Sequence, residues 1–369
     1  GTIFLNLIKF IVVPIVLFSI MCGIISMSDI KKVGSIGLKT VVFYLCTTAF
    51  AVTIGLTGGN LFKGLFPVVA TTDLSYEAAE ATSFMDTLVN IFPSNFVSPM
   101  VEANMLQVIV MAIILGFAII LVGEKNVRVV NAFNDLNEIF MKCMEMILKL
   151  SPIGVFCLLC PVIAANGPAI IGSLAMVLLA AYICYVVHAV VVYSLTVGTL
   201  GGVSPLKFFK GMLPAIMFAF SSASSVGTLP INLECTEKLG AKREIASFVL
   251  PLGATINMDG TAIYQGVCAI FIASCYGIHL TLSQMLTIVL TATLASIGTA
   301  GVPGAGMVML AMVLTSVGLP VDGIALVAGV DRIFDMGRTT VNITGDAACT
   351  MVVSNLEAKK DVRRAKAGK

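Results

Sequence analysis

Residues 335–346, with the sequence DMGRTTVNITGD, place two carboxylates and a guanidinium inside the last long apolar segment of the chain. The polar side chains at helical spacing in this stretch are Asp335, Arg338, Thr339, Asn342 and Asp346. At about 100° per residue these side chains fall within roughly a 100° arc, so they share one face of a helix. Charges inside an apolar segment are costly and are by default functional. The stretch therefore predicts a helix whose polar face lines a binding site.

The composition around this stretch is that of an integral membrane protein. The 369 residues are 58% hydrophobic and 11% charged, and the mean hydropathy is +1.03, whereas a soluble domain is about half apolar and a quarter charged. Runs of the roughly 20 apolar residues that a spanning helix needs recur along the chain. We expect one all-α polytopic domain in contact with membrane lipid. A net charge of +2, spread over short loops, argues against nucleic-acid binding.

The basic loops predict the topology. Apolar segments lie near 3–27, 35–65, 85–123, 129–163, 169–200, 211–233, 243–275, 282–318 and 323–353. Basic clusters, which mark the cytoplasmic side, are Lys31 and Lys32, Lys125 and Arg128, Lys207 and Lys210, Lys238 with Lys242 and Arg243, and the tail 354–369. The connections near 67–84, 164–168, 276–281 and 319–322 have no Lys or Arg. We expect a multi-pass protein of the cell (inner or plasma) membrane with a cytoplasmic C-terminus.

Two segments break this alternation. Segment 211–233 has basic clusters at both ends, and segment 282–318 begins and ends outside by the same count. Their midpoints, 221–230 and 296–306, are rich in Ser, Gly, Ala and Pro. Non-helical backbone at membrane depth needs protein or a water-filled cavity around it. We therefore expect two re-entrant hairpins whose tips meet a cavity, as in transporters built from inverted repeats.

A second polar stretch, GATINMDGT at 253–261, interrupts an apolar segment and predicts an unwound turn. Freed carbonyls and the carboxylate of Asp259 suit an alkali cation. In the last segment, the fork of Arg338 suits a carboxylate, and Asp335 one turn away suits an ammonium group. An acidic amino acid carries both groups. Asp346 lacks a cationic side chain on its own face, and a bound sodium ion would offset its charge.

Four motifs in this order resemble the glutamate transporter family, the sodium:dicarboxylate and amino-acid symporters, and in particular its archaeal and bacterial aspartate/glutamate members. The matching stretches are the serine-rich tip with GTLP at 227–230, NMDGT at 257–261, the tip at 298–306, and 335–346. The resemblance covers essentially all of the chain, except that the family's first transmembrane helix is missing. The chain is expected to begin at the second.

The resemblance implies a homotrimer that works by an elevator-type alternating-access mechanism. The implied scaffold comprises a helix in 1–34 and helices in 85–168. The implied transport domain comprises 35–84, a helix with an outer loop, together with 169–353. Within the latter we expect a first helix, an inner hairpin at 205–235, a broken helix at 243–275, an outer hairpin at 282–318 and a polar helix at 323–353, followed by the basic cytoplasmic tail.

The resemblance also implies the residues that bind substrate and ions. For the substrate, the side-chain carboxylate would meet Arg338, the amino group Asp335, and the α-carboxylate Ser224, Ser225 and Asn342, with Thr261, Gly306 and Thr339 nearby. Three sodium sites carry over. The first is Gly253, Asn257, Asn342 and Asp346; the second is Tyr44, Thr47, Thr48, Asn257 and Asp259; the third is Thr255, Ser296, Ile297 and Thr299.

The chain departs from the family pattern at three positions. Ala223 and Met336 stand where archaeal and animal members, respectively, place a second arginine near the acidic residue equivalent to Asp335. Arg332 is the candidate to take over that role. Gln265 stands where proton- and potassium-coupled animal members have a glutamate, which favours coupling to sodium alone.

Other interpretations of the sequence stay open. A carrier of neutral amino acids or C4-dicarboxylates is the main alternative, and a substrate-gated anion channel would also use polar re-entrant loops. An intramembrane enzyme is disfavoured, because His188 and His279 are interpreted as lying alone, without a nucleophile nearby.

Overall fold

A computed structural model describes residues 2–26, 35–66, 89, 92–102, 104–122, 127–150, 153–154, 156–157, 160, 164, 169–297 and 305–367. Every regular element in these ranges is helical, as the composition predicts. The long helices are α1 (Thr2–Ser26), α2 (Ser35–Phe62), α3 (Met105–Val122), α4 (Val127–Lys149), α5 (Ala169–His188), α6 (Pro205–Ser222), α7 (Ser225–Lys238), α8 (Arg243–Ile256), α9 (Asp259–Cys275), α10 (Leu282–Ala295), α11 (Ala305–Ser316) and α12 (Asp331–Ala367). Short helical turns cover Lys63–Leu65, Ser98–Val101, Val321–Gly323 and Ile324–Ala328.

Three stretches of the described chain are long and apolar enough to cross a membrane, judged by length and composition. They are Ser35–Leu65, Leu174–Gly201 and Arg243–Cys275. The third is 94% buried inside the protein, against 39% and 33% for the other two. It therefore forms the centre of the bundle, and the first two present apolar surface outward.

The helices pack in two groups. Helix α1 packs mainly on α3 and α4, whereas the central helix α9 packs on α2, α5, α11 and α12. Helix α12 also contacts α6, α7 and α8, so its polar face is enclosed by the second group. Contacts of α1 and α3 with α11 join the two groups.

Glycines let α2 and α9 approach closely. A Cβ atom added at Gly55 would lie 2.5 Å from the carbonyl oxygen of Ile263, and one at Gly266 would lie 2.8 Å from the amide nitrogen of Leu56. Small residues at such crossings are the usual means by which membrane helices pack backbone to backbone. This contact fixes the position of the helix that carries Asp259.

Helix α6 leads into α7 through a two-residue turn. Ser204 caps the start of α6 and Pro205 occupies its first turn, where a missing N–H costs nothing. The chain reverses at Ala223, which has a φ of 52°, and the hydroxyl of Ser224 then caps α7 by accepting from the Gly227 amide at 3.0 Å. The serine-rich stretch thus forms the turn of a helical hairpin. Its counterpart begins with a capping box of Thr281 and Gln284 on α10.

Two other boundaries bear on the sequence predictions. The segment at 243–275 is broken, as predicted, because α8 ends at Ile256 and α9 begins at Asp259. The last helix was predicted over 323–353, but α12 begins at Asp331 and continues to Ala367. Its extension is rich in Ala, Lys, Glu and Arg, which have high helix propensity and carry the helix through the predicted tail.

Substitution at the α2–α9 crossing tests this packing. We expect Gly55→Ala to lower the thermal midpoint of the detergent-solubilised protein by several degrees, because overpacking a core costs about 1–3 kcal/mol. Gly64→Ala is the control, since a Cβ there would meet nothing within 4 Å. Equal midpoints for the two variants would show that the close approach of α2 and α9 is wrong.

Candidate functional site

The side chain of Arg338 is buried in α12 between two carboxylates. Its Nη1 and Nη2 atoms donate to the two carboxylate oxygens of Asp331 at 3.0 and 3.2 Å, and its Nε donates to Asp335 at 2.8 Å. Its guanidinium carbon lies 4.9 Å from the centre of the Tyr264 ring, a cation–π contact. Two acidic groups therefore surround one buried cation. Only 2% of the Arg338 side chain is exposed.

The sequence reasoning did not identify Asp331. Its spacing of seven residues from Arg338, two helical turns, was the available signal. Asp331 lies at the first residue of α12 and is buried. Asp331 occupies the Nη1 and Nη2 atoms of Arg338, the fork that was predicted to bind a ligand carboxylate.

Two glycines frame the guanidinium and the backbone that carries it. A Cβ at Gly306, in the first turn of α11, would lie 2.0 Å from Nη1 of Arg338. A Cβ at Gly260 would lie 2.2 Å from the Arg338 carbonyl oxygen. The structure thus brings the predicted residue Gly306 against Arg338. No larger side chain fits at either glycine without displacement.

The turn between α6 and α7 lies beside the start of α12. Arg332 donates to the carbonyl oxygens of Ser221 and Ser222 at 3.4 and 3.3 Å. Its observed partners are therefore in the serine-rich turn, and its predicted role in bracing Asp335 stays a prediction. The predicted residues Ser225, Thr261 and Thr339 are all buried.

The residues predicted for the first cation site are brought together at the break between α8 and α9. The Nδ2 of Asn257 donates to the carboxylate of Asp346 and to the Asn342 carbonyl oxygen, both at 2.9 Å. A Cβ at Gly253 would lie 2.4 Å from Asp346. The Asn342 side-chain oxygen accepts from the Gly260 amide at 2.7 Å. Asn342 therefore links the helix break to the polar face of α12.

The second predicted set surrounds Asp259. One carboxylate oxygen of Asp259 accepts from the hydroxyls of Thr48 at 2.8 Å and Thr47 at 3.3 Å. Tyr44 lies next to both sets, because a Cβ at Gly253 would be 2.5 Å from its hydroxyl, which donates to the Val249 carbonyl at 3.2 Å. The two predicted cation sites thus adjoin each other.

The other oxygen of Asp259 contacts two residues that the sequence reasoning missed. Tyr193 donates its hydroxyl to this oxygen at 2.8 Å, and His188 Nε2 lies 3.2 Å away. The interpretation of His188 as a residue that lies alone was therefore wrong. No local pattern pairs it with Asp259, because the contact is made 71 residues away by the packing of α5 on α9. His279, in contrast, is exposed.

The third predicted set is only partly within the described residues. The Thr255 hydroxyl donates to the Leu252 carbonyl and the Ser296 hydroxyl to the Thr293 carbonyl, so both bond within their own helices. Ile297 is buried near the end of α10. Thr299 lies outside the described residues, and the third site stays a prediction.

Together these groups leave negative charge and oxygen acceptors without a compensating cation. Within the described ranges Asp346 forms no ion pair, and the buried side-chain oxygen of Asn257 has no hydrogen-bond partner. Buried charges are normally paired or bind a metal ion. Carboxylates, hydroxyls and an amide oxygen are hard ligands that suit an alkali cation. An apolar helical bundle with buried carboxylates at a helix break is typical of polytopic membrane transporters.

Comparison with known proteins agrees with that class. Residues 1–356 match the family model of the sodium:dicarboxylate symporter family, and the chain belongs to this family. It is 36% identical to the proton/glutamate-aspartate symporter of Escherichia coli over 99% of this chain and 86% of the relative. It is 35% identical to the proton/sodium-glutamate symport protein of Bacillus subtilis over 97% and 85%. It is 33% identical to the C4-dicarboxylate transport protein of Rhodopseudomonas palustris over 97% and 81%.

Membership of this family confirms two predictions. The resemblance drawn from the four motifs is correct, and the protein is a transporter and not an enzyme. Symport and sodium coupling follow for the class as a whole.

His188 offers a test of the Asp259 cluster. We expect His188→Leu to raise the sodium concentration that half-maximally stabilises the protein against heat by about 10- to 100-fold, the usual cost of removing a partner of a metal ligand. His188→Gln keeps an N–H donor and should lie between this variant and the wild type. His279→Leu is the control. An unchanged sodium response in His188→Leu would show that His188 does not contribute to cation binding.

Proposed function

We propose that this protein is a secondary active transporter that couples uptake of L-aspartate and L-glutamate to sodium. The observation that carries the proposal is the buried guanidinium of Arg338 on α12, the helix that also carries Asp346 and that Asn342 joins to the α8–α9 break next to Asp259. One centre thus holds a fork for a carboxylate and, nearby, negative charge for cations. Sodium-coupled uptake of an acidic solute requires both.

In this proposal the charged groups around Arg338 bind the substrate. Its side-chain carboxylate takes the edge of Arg338 that Asp331 occupies, which exchanges one ion pair for another and keeps the buried guanidinium neutralised. Its ammonium group pairs with Asp335, and its α-carboxylate meets Ser224, Ser225 and the Asn342 amide. Thr261, Thr339 and Gly306 border the same space. Charged protein groups thus meet both ends of the ligand.

In the same proposal the oxygen ligands around the helix break bind the cations. One sodium ion binds with Asp346, Asn257, Asn342 and Gly253, and a second with Asp259, Thr47, Thr48, Tyr44 and Asn257. A third set, Thr255, Ser296, Ile297 and Thr299, is closed by the hairpin of α10 and α11. Gln265, buried in α9, carries no titratable group. This favours sodium over protons as the coupling ion.

The movement follows from the grouping of helices. We assign α1, α3 and α4 to a static scaffold that forms a homotrimer. The remaining helices form the moving transport domain, in which the hairpins α6–α7 and α10–α11 re-enter the cell (inner or plasma) membrane from opposite sides and the C-terminus is cytoplasmic. Support comes from the packing of α1 on α3 and α4, from the Ala223–Ser224 reversal and from the basic loops.

A C4-dicarboxylate is the second candidate substrate, since a relative at 33% identity is named as its transporter. Asp335 favours an amino acid, because a dicarboxylate brings no ammonium group to offset that carboxylate. A neutral amino acid would leave Arg338 without a ligand carboxylate at its fork. A substrate-gated anion channel would give current without accumulation.

Uptake in liposomes distinguishes these candidates. The purified protein is reconstituted, and L-[³H]aspartate accumulation is followed with an inward sodium gradient, an inward proton gradient, or neither. We expect the sodium gradient alone to drive accumulation, and glutamate to compete better than succinate or serine. Accumulation driven equally by protons would overturn sodium coupling. Stronger competition by succinate would make the protein a dicarboxylate carrier, and conductance without accumulation a channel.

The fork of Arg338 is tested by Arg338→Lys, which keeps the positive charge between Asp331 and Asp335. We expect aspartate affinity to fall roughly 10- to 150-fold, because charge-assisted hydrogen bonds contribute about 1.5–3 kcal/mol. The thermal midpoint should fall as well, because lysine cannot replace both hydrogen bonds that Arg338 donates to Asp331. Arg243→Lys is the control, since 80% of the Arg243 side chain is exposed. Aspartate binding that is equally tight in both variants would exclude bidentate recognition.

A further inference from the structure

An apolar cavity of about 540 Å³ lies between α2, the end of α5 and α12. Its walls include Val42 and Phe50 of α2, Val192 and Leu195 beyond α5, and Val353 of α12. The cavity is within the size range of ligand sites, about 300–1,000 Å³. Among the residues that the structure describes, none of those lining the cavity comes from α1, α3 or α4. The cavity therefore belongs to a different face from the proposed trimer contacts.

The open side of this cavity faces hydrocarbon. Two of its walls belong to the apolar spans Ser35–Leu65 and Leu174–Gly201. Phe50 is 63% exposed and Leu195 62% exposed on this face. In a membrane such a face contacts acyl chains. From Lys39 to Ile54 the cavity extends about 22 Å along α2. One leaflet has a hydrocarbon depth of roughly 15 Å, so the cavity is long enough for an acyl chain that starts at Lys39.

One end of the cavity carries positive charge. Lys39 lines it and forms an ion pair with Glu357, which is also 3.8 Å from Lys360. Two ammonium groups thus surround one carboxylate, and this rim has a net charge of +1. Lys39 lies on the side that the basic loops assign to the cytoplasm. The rim complements the headgroup of an anionic phospholipid.

The cavity lies directly behind the Asp259 cluster. Thr47 lines the cavity, and its hydroxyl is 3.3 Å from Asp259. The π-helical turn Ala189–Tyr193 places Val192 in the cavity wall and carries Tyr193, whose hydroxyl is 2.8 Å from the same carboxylate. π-helical turns are frequent at functional sites. A chain packed in the cavity therefore touches two elements that hold Asp259.

We propose that this cavity is a binding site for one acyl chain of an anionic phospholipid, with the headgroup at Lys39, and that its occupancy regulates cation binding at Asp259. The lipid site itself stands on the cavity and its rim. The regulatory part rests on the proposed sodium site.

Binding is tested by native mass spectrometry of the full chain, without sodium or aspartate, so that the result is independent of transport. The probe is palmitoyl-oleoyl phosphatidylglycerol added to delipidated protein, with the phosphatidylcholine equivalent as reference. We expect wild type to retain one phosphatidylglycerol. Val192→Trp fills the cavity and should abolish retention. Leu179→Trp, at an exposed α5 residue outside the lining, is its control.

A matched pair of variants tests the headgroup contact. Lys39→Gln and Glu357→Gln both break the ion pair, but only the first removes positive charge. We expect Lys39→Gln to weaken phosphatidylglycerol retention about fivefold and Glu357→Gln to leave it intact or strengthen it. Equal weakening in both variants would show that the ion pair, and not a headgroup contact, is responsible.

Regulation is measured as the sodium concentration that gives half-maximal thermal stabilisation, compared between nanodiscs of phosphatidylglycerol and nanodiscs of phosphatidylcholine. We expect this concentration to differ about fivefold between the two lipids for the wild type, at the lower end of known coupling strengths. For Val192→Trp we expect no difference between the lipids. If Val192→Trp does not fold, a photoactivatable acyl chain on wild type should crosslink to residues 39–54. Crosslinks confined elsewhere, or retention unaffected by Val192→Trp, would overturn the site.

Discussion

Burial of carboxylates in an apolar bundle is the constraint on which the rest of the structure depends. Removing a charge from water costs several kcal/mol even after the protein relaxes, unless another charge or a metal ion compensates it. Asp331 and Asp335 share the single guanidinium of Arg338, which offsets one of their two charges. Asp346 has an amide donor and no ion pair within the described chain, and Asp259 has hydroxyls and one imidazole. The second pair is therefore where the proposed sodium ions would supply the missing positive charge.

The two kinds of site share atoms of the same helix break. Asn342 lies one turn beyond Arg338 on α12, and its side chain accepts from the Gly260 amide while its carbonyl accepts from Asn257. Asn257 also holds Asp346. Any change in the break that improves cation ligation is thus passed to the helix that carries Arg338. Such coupling is reciprocal in free energy, so in the proposed mechanism the substrate would strengthen cation binding as much as the cations strengthen substrate binding.

Local sequence features predicted the helical fold and the α8–α9 break, because both follow from apolar runs and from a polar, glycine-containing interruption in one of them. The gathering of Asn257, Asn342 and Asp346 was implied by the family resemblance. The serine-rich turn at Ala223 was likewise visible. The contacts of His188 and Tyr193 with Asp259 were not, since they depend on how α5 packs against α9. Asp331 was missed for another reason. Asp335 alone was enough to balance the charge of Arg338, and no local sequence feature showed that two carboxylates share this guanidinium.

The length of α12 was also misjudged, because a charged run was interpreted as a tail although its residues favour helix. Within this helical extension Glu357 pairs with Lys39 at the rim of the apolar cavity and lies 3.8 Å from Lys360. A segment with the composition of a solvent-exposed tail thus contributes to the architecture around the cation centre.

Calorimetric titration of L-aspartate at increasing sodium, with choline replacing sodium at constant ionic strength, tests the central claim most directly. Compensation of Asp259 and Asp346 by sodium predicts that aspartate affinity rises steeply with sodium, with a log–log slope greater than one, and that binding is barely detectable in choline. Aspartate that bound equally well in choline would show that these carboxylates do not couple sodium to the substrate.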